Sequence, residues 1–179
     1  MNMIGKFTLE DIDIENALLK LEGHMKPIRL VHDIERLAVA SVGLALLASG
    51  IKCPYGGSDI GLYLGIDDSI EDIKDEYFRR VLADGALGAS PLLFPFTSPN
   101  ALAAQISIAF DLRGECIVMP INGSCSNVIK YATECIDSKH VRTAIVCVIK
   151  IAANGQSGPN GQYVGDVMVF GGGCEQQKK

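Results

Sequence analysis

Tryptophan is absent from this chain of 179 residues, and aromatic residues of every kind make up only 6% of it. A core built without large rings comes from Ile, Leu, Val and Ala, the residues that a helix-covered parallel sheet requires. No C-x-x-C pair occurs among the cysteines at 53, 116, 125, 135, 147 and 174, which removes the common zinc and thiol-redox spacings. Basic clusters are lacking as well. None exceeds the terminal pair Lys178-Lys179, and the net charge is -5, so a nucleic-acid surface is not expected. The longest apolar stretch, Val39 to Ala48, is interrupted by Ser41 and Gly43 and is too short to span a membrane. The opening MNMIGKFTLEDIDIEN is acidic and mixed, unlike a signal peptide. A reduced, cytoplasmic protein without metal or cofactor is the expectation.

Apolar residues, by contrast, reach 48%, and the length suits one domain that buries roughly 70% of its unfolded surface. Within LRGECIVMPINGSCSNVIKYATECIDSKHVRTAIVCVIKI, Cys116 to Ile121 reads as a buried strand. Asn122-Gly123-Ser124 has the chemistry of a helix start, and Val128, Ile129, Ala132 and Ile136 follow at helical spacing. Thr143 to Ile151 is a second apolar strand. Strand, turn, helix, strand is a βαβ unit and implies parallel pairing.

Upstream, Thr8-x-x-Asp11 resembles a capping box before a short helix, about Thr8 to Leu21. A connector with Pro27 leads to a helix from Leu30 to Ala48, ended by Gly50. Ile60 to Ile66 reads as a strand, and Asp67-Asp68-Ser69 as the cap of a helix from Ile70 to Leu82. Gly85 to Phe96 is loop. Ser98-Pro99 opens a helix to Phe110. NGQSGPNGQ is a hairpin-type turn before a last strand, Tyr163 to Phe170. The chain divides into a helical extension (1–24), a domain (25–171) and a flexible tail (172–179).

The ordered series SPLLFPFTSPNALAAQISIAFDLRGECIVMPINGSCSN resembles the N-terminal half of β-ketoacyl-acyl-carrier-protein synthases, of the thiolase-like superfamily. The similarity runs from about residue 25 to 170. It implies an α/β fold, half of a thiolase-like fold, with a mixed, mostly parallel sheet of five or fewer strands flanked by helices. It also implies a nucleophilic cysteine at the ninth position after Gly114, which is Gly123; counting back from Ala132 gives Asn122. Neither is a nucleophile, and Glu115 replaces the family's proline. The half that carries the family's two catalytic histidines has no counterpart here, and His24, His32 and His140 stand at none of the matching positions. The family's glycine-rich first strand is expected to be missing, with the acidic helix in its place.

The remaining candidates are few. Cys125, near a helix N-terminus, is the weak candidate for acyl transfer or else a small core residue. Asn122, Gly123 and Ser124 form either an acyl- or oxyanion-binding nest or an ordinary helix start. His32 and His140 lack partners at metal-ligand spacing. Gly155, Gly158 and Gly161 read as turn glycines rather than a phosphate loop. Arg79-Arg80 offers a basic pair to an acidic carrier protein, or a solvated helix face. The resemblance thus points to a catalytically degenerate synthase-like scaffold or regulator of acyl-chain biosynthesis. The alternatives are an acyltransferase using Cys125 with a partner subunit, and a non-catalytic acyl-chain binder using Leu92 to Phe96. Partners implied are an acyl carrier protein, a full-length ketosynthase, or a second copy. A homodimer would be built on the strand Cys116, Ile117, Val118, Met119, Pro120 and Ile121, with Val128, Ala132, Cys135 and Ile136 expected to lack cover on one side.

Overall fold

Ile60–Ile66 is buried along its whole length because helices cover both faces of the sheet it sits in. The computed structural model describes residues 2–9, 12–30, 32–152 and 163–171. The elements are β1 (Asn2–Thr8), α1 (Ile14–Lys20), α2 (Asp33–Ala48), β2 (Ile60–Ile66), α3 (Glu71–Asp84), α4 (Pro99–Phe110), β3 (Cys116–Pro120), α5 (Ser126–Asp137), β4 (Thr143–Ile151) and β5 (Tyr163–Gly171). Short 3₁₀ turns at Gly85–Gly88 and Phe94–Thr97 join α3 to α4. The expected turn over 154–162 and the tail over 172–179 lie outside the described residues.

The strands form one sheet in the order β1-β5-β4-β2-β3. β2 pairs parallel with both β3 and β4, while β5 pairs antiparallel with β4 and β1. The mixed five-stranded sheet flanked by helices is the fold class read from the sequence. Helices α2 and α4 cover one face over a core that includes Leu37, Leu62, Ile106 and Phe110. α5 covers the other, over Tyr63, Val146, Val148 and Phe170. Among the described residues no helix is long and apolar enough to cross a membrane.

Three local expectations are corrected. Residues 2–8 are a strand, so the sheet does have an N-terminal strand, and the helix behind it is confined to Ile14–Lys20. Its cap is Asp13, whose carboxylate accepts from the Asn16 N–H at 3.1 Å, not Thr8. Asp67 does not cap α3, which starts after Ile70 with no side-chain cap. Its carboxylate instead accepts from the Ile151 N–H at 3.0 Å and from the Ser69 hydroxyl, tying the end of β2 to the end of β4. Finally, Val128, Ala132, Cys135 and Ile136 are all buried against the sheet of their own chain. The opposite side of α5 is polar, exposing Asn127, Lys130, Glu134 and Asp137, so no apolar stripe is left there.

Candidate functional site

Carboxyl ends of parallel strands are where α/β sheets place their ligand crevices, and here β2 and β3 end together at Ile66 and Pro120, with β4 running past Ile149, the partner of Ile66, to Ile151. The β3–α5 turn fills that position. Ile121 still bonds the sheet, its N–H donating to the Ile66 carbonyl at 3.0 Å. Gly123 turns the chain with φ +79, a conformation open to glycine at little cost. The Ser124 hydroxyl accepts from the Ser126 N–H at 3.2 Å and so does the capping, one residue before the helix N-cap, Cys125. Lys150, near the end of β4, donates from Nζ to the Gly123 carbonyl at 2.8 Å. That ammonium pins the turn by its carbonyl, and sequence reasoning missed it because the partners are 27 residues apart.

The turn brings Asn122, Gly123, Ser124 and Cys125 together, with the first three exposed and Cys125 half-buried. It brings no histidine to them. His140 follows the far end of α5, about 18 Å away by the rise of a 12-residue helix. His32 stands at the start of α2 with its ring against Phe96, centroids 5.0 Å apart. Among the described residues no group of three or more metal-ligating side chains converges. Arg79 and Arg80 are both exposed on α3, Arg80 paired with Glu76 on the same helix.

A second cluster lies at the other end of β3. The Glu115 carboxylate accepts from the Tyr63 hydroxyl at 2.7 Å and from the Tyr131 hydroxyl at 3.3 Å. Burial works against its charge, yet the hydrogen bond from Tyr63, the Cys135 thiol and Tyr131 together hold the carboxyl below its ordinary range. Burial, reinforced by the neighbouring carboxylate, pushes the Tyr63 phenol and the Cys135 thiol up. Space for the phenol comes from Gly61, where a Cβ would stand 2.7 Å from the Tyr63 hydroxyl oxygen. Only the departure from the family's proline marked Glu115 in the sequence.

Burial also sets the reactivity of the thiols. It pushes Cys147 up to about 12 and Cys53 up to about 11. At pH 8 a thiol near 11 is roughly one-thousandth thiolate, and the thiolate is the nucleophile. Iodoacetamide at pH 8 is therefore expected to label Cys125 in the native protein well before Cys53 or Cys147, with Cys53 labelling rising as the pH approaches 11. Peptide mass spectrometry reads the order, and early labelling of Cys147 would contradict its burial.

The profile described as "Beta-ketoacyl synthase, N-terminal domain" matches residues 21–161. The chain belongs to the β-ketoacyl synthase family. Solved structures agree on the fold of this synthase-family chain. The ishigamide ketosynthase/chain length factor superposes with a TM-score of 0.65 at 14% identity, over 90% of this chain and 45% of that one. A ketosynthase in complex with its chain length factor from Xenorhabdus doucetiae gives 0.55 at 15%, over 90% and 62%. A type II polyketide synthase acyl-carrier protein in complex with its ketosynthase gives 0.59 at 14%, over 94% and 61%. The chain thus spans less than half of the first of these structures. No curated protein matches it in sequence.

Proposed function

We propose that this synthase-family chain is a catalytically degenerate subunit, a scaffold or regulator of polyketide- or fatty-acid-type chain assembly that pairs with an active ketosynthase as a chain length factor does. The observation that carries the proposal is the β3–α5 turn. At the position the family gives its nucleophile stands Gly123, or Asn122 by the second count, and the carbonyl of Gly123 is occupied by Lys150. Acyl-enzyme formation needs a thiol at that position, which neither Asn122 nor Gly123 carries, and the donor at the turn, Lys150, is engaged with the Gly123 carbonyl.

Partner binding is proposed at the free edge of β3, the terminal strand of the sheet. Leu62 donates its N–H to the Glu115 carbonyl at 2.8 Å and Ile121 donates to Ile66, so alternate residues between them also face β2. Cys116, Val118 and Pro120 then turn their backbone outward. Pro120 thereby loses a donor only on the free side, where proline is tolerated. A second copy of the chain can pair along this edge antiparallel, Val118 against Val118, and so can a ketosynthase strand.

Isolated protein incubated with acyl- and malonyl-carrier thioesters is expected to release no CO₂ and form no condensation product above background. Mass spectrometry of the products checks this. Turnover that disappears in Cys125→Ala would replace the proposal with an acyltransferase that uses Cys125 and borrowed histidines. A stable adduct on Cys125 without turnover leaves the proposal standing.

A further inference from the structure

The Glu115 cluster joins a carboxylate to two phenols beside a sheet edge. Among the described residues Glu115 takes part in none of the ion pairs. It is half-buried, yet two phenols hold its oxygens in place. The Tyr63 and Tyr131 rings meet edge to face at 5.9 Å, and Tyr131 remains 36% exposed. An oriented carboxylate reached past an accessible aromatic ring is the arrangement that holds ammonium and guanidinium groups. Within the chain the positive group that bears on it is His140, which makes no ion pair with it, so a closer cation would add to its stabilisation. The cluster lies immediately before the free edge of β3.

We propose that Glu115, framed by Tyr63 and Tyr131, receives a lysine or arginine side chain from a partner that pairs antiparallel to β3 and is not a second copy of this chain. The assignment rests on the β3 edge being the docking edge, as proposed above. With Val118 opposite Val118, a second copy sets Ile121 directly across from Glu115 and Met119 diagonally across on the same face. Neither carries charge. The nearest basic side chain at that turn, Lys150, is spent on the Gly123 carbonyl. Self-pairing sets no basic residue of the strand opposite the carboxylate; a different chain with a basic residue opposite Glu115 supplies one.

The missing charge can be supplied artificially. Met119 is half-buried on the edge strand, and a diagonal neighbour is within reach of a long side chain. Sedimentation velocity on the full chain is expected to show weak, salt-insensitive self-association for the wild type. Met119→Lys should tighten it about tenfold, in a salt-sensitive manner, and adding Glu115→Gln should abolish the gain. Met119→Arg carries the charge on a different stem if Met119→Lys does not fold. Tight wild-type dimers, no gain from either basic variant, or a gain that survives Glu115→Gln overturns the assignment. Val118→Pro removes one outward N–H and separates the two readings. A gain lost with Glu115→Gln but untouched by Val118→Pro overturns the β3 edge and this assignment with it. A gain lost with Val118→Pro but not with Glu115→Gln overturns the assignment alone.

Discussion

Deleting residues 1–24 is expected to yield insoluble or molten protein rather than a trimmed domain. β1 pairs with β5 from Asn2 to Thr8, so its removal opens the β5 edge to other chains. The same deletion takes away Leu9 and Leu21, both wholly buried, and Ala17. Helix α2 is built around Leu21: a Cβ on Gly43 would stand 2.5 Å from its Cδ1 and 2.8 Å from the Phe110 ring. Removing a buried leucine costs about 2–5 kcal/mol. Two of them exhaust much of a total stability of about 5–15 kcal/mol. Soluble yield, a thermal melt by circular dichroism and dye binding to exposed apolar surface test this together. A truncated protein that melts where the full chain does would show that α1 and β1 do not stabilise the fold.

Gly114→Ala is expected to be nearly as damaging, although it adds a single methyl group. The new Cβ would lie 2.2 Å from the Ile60 carbonyl oxygen and 2.7 Å from that of Ser58. Both are backbone atoms at or just before the start of β2, the middle one of the parallel strands, and cannot move aside as a side-chain end can. The loss should exceed about 3 kcal/mol, in the range of core overpacking and backbone displacement. Urea denaturation measures it. Gly23→Ala is a useful contrast: its Cβ would meet nothing within 4 Å, so the strain of φ +83 is its principal cost.

These sites show what could be read without coordinates. β2 and β4 were legible because burial on both faces forces a continuous apolar run. Ser98 and Pro99 announced α4 by local chemistry alone, and the Ser98 hydroxyl does accept from the Asn100 N–H, at 3.4 Å. β1 was not legible because NMIGKFT is mostly exposed and lacks a regular buried alternation; β5 supplies the edge that makes it a strand. Asp67 looked like a cap because capping is local, whereas its partner Ile151 is 84 residues away. For the candidate site the division is similar. The position of Gly123 followed from the family resemblance, which counts on from Gly114, while the reach of Lys150 and the Tyr63–Glu115 bond, spanning 52 residues, depend on parallel register.

The two ends of the sheet are unlike, and this bears on how large any assembly can grow. At β1 the register slips between Met3 and Gly5, and Lys6 places a charge on this edge strand, paired with Asp166 of neighbouring β5 at 3.2 Å. A bulge and a lysine are both deterrents to strand addition. β3 has neither; Pro120, near its end, shortens its outward row of donors. A sheet with one receptive end is consumed by a single union. It cannot pass strands along from molecule to molecule, so the product is finite and a fibre built by sheet extension has no second point from which to continue.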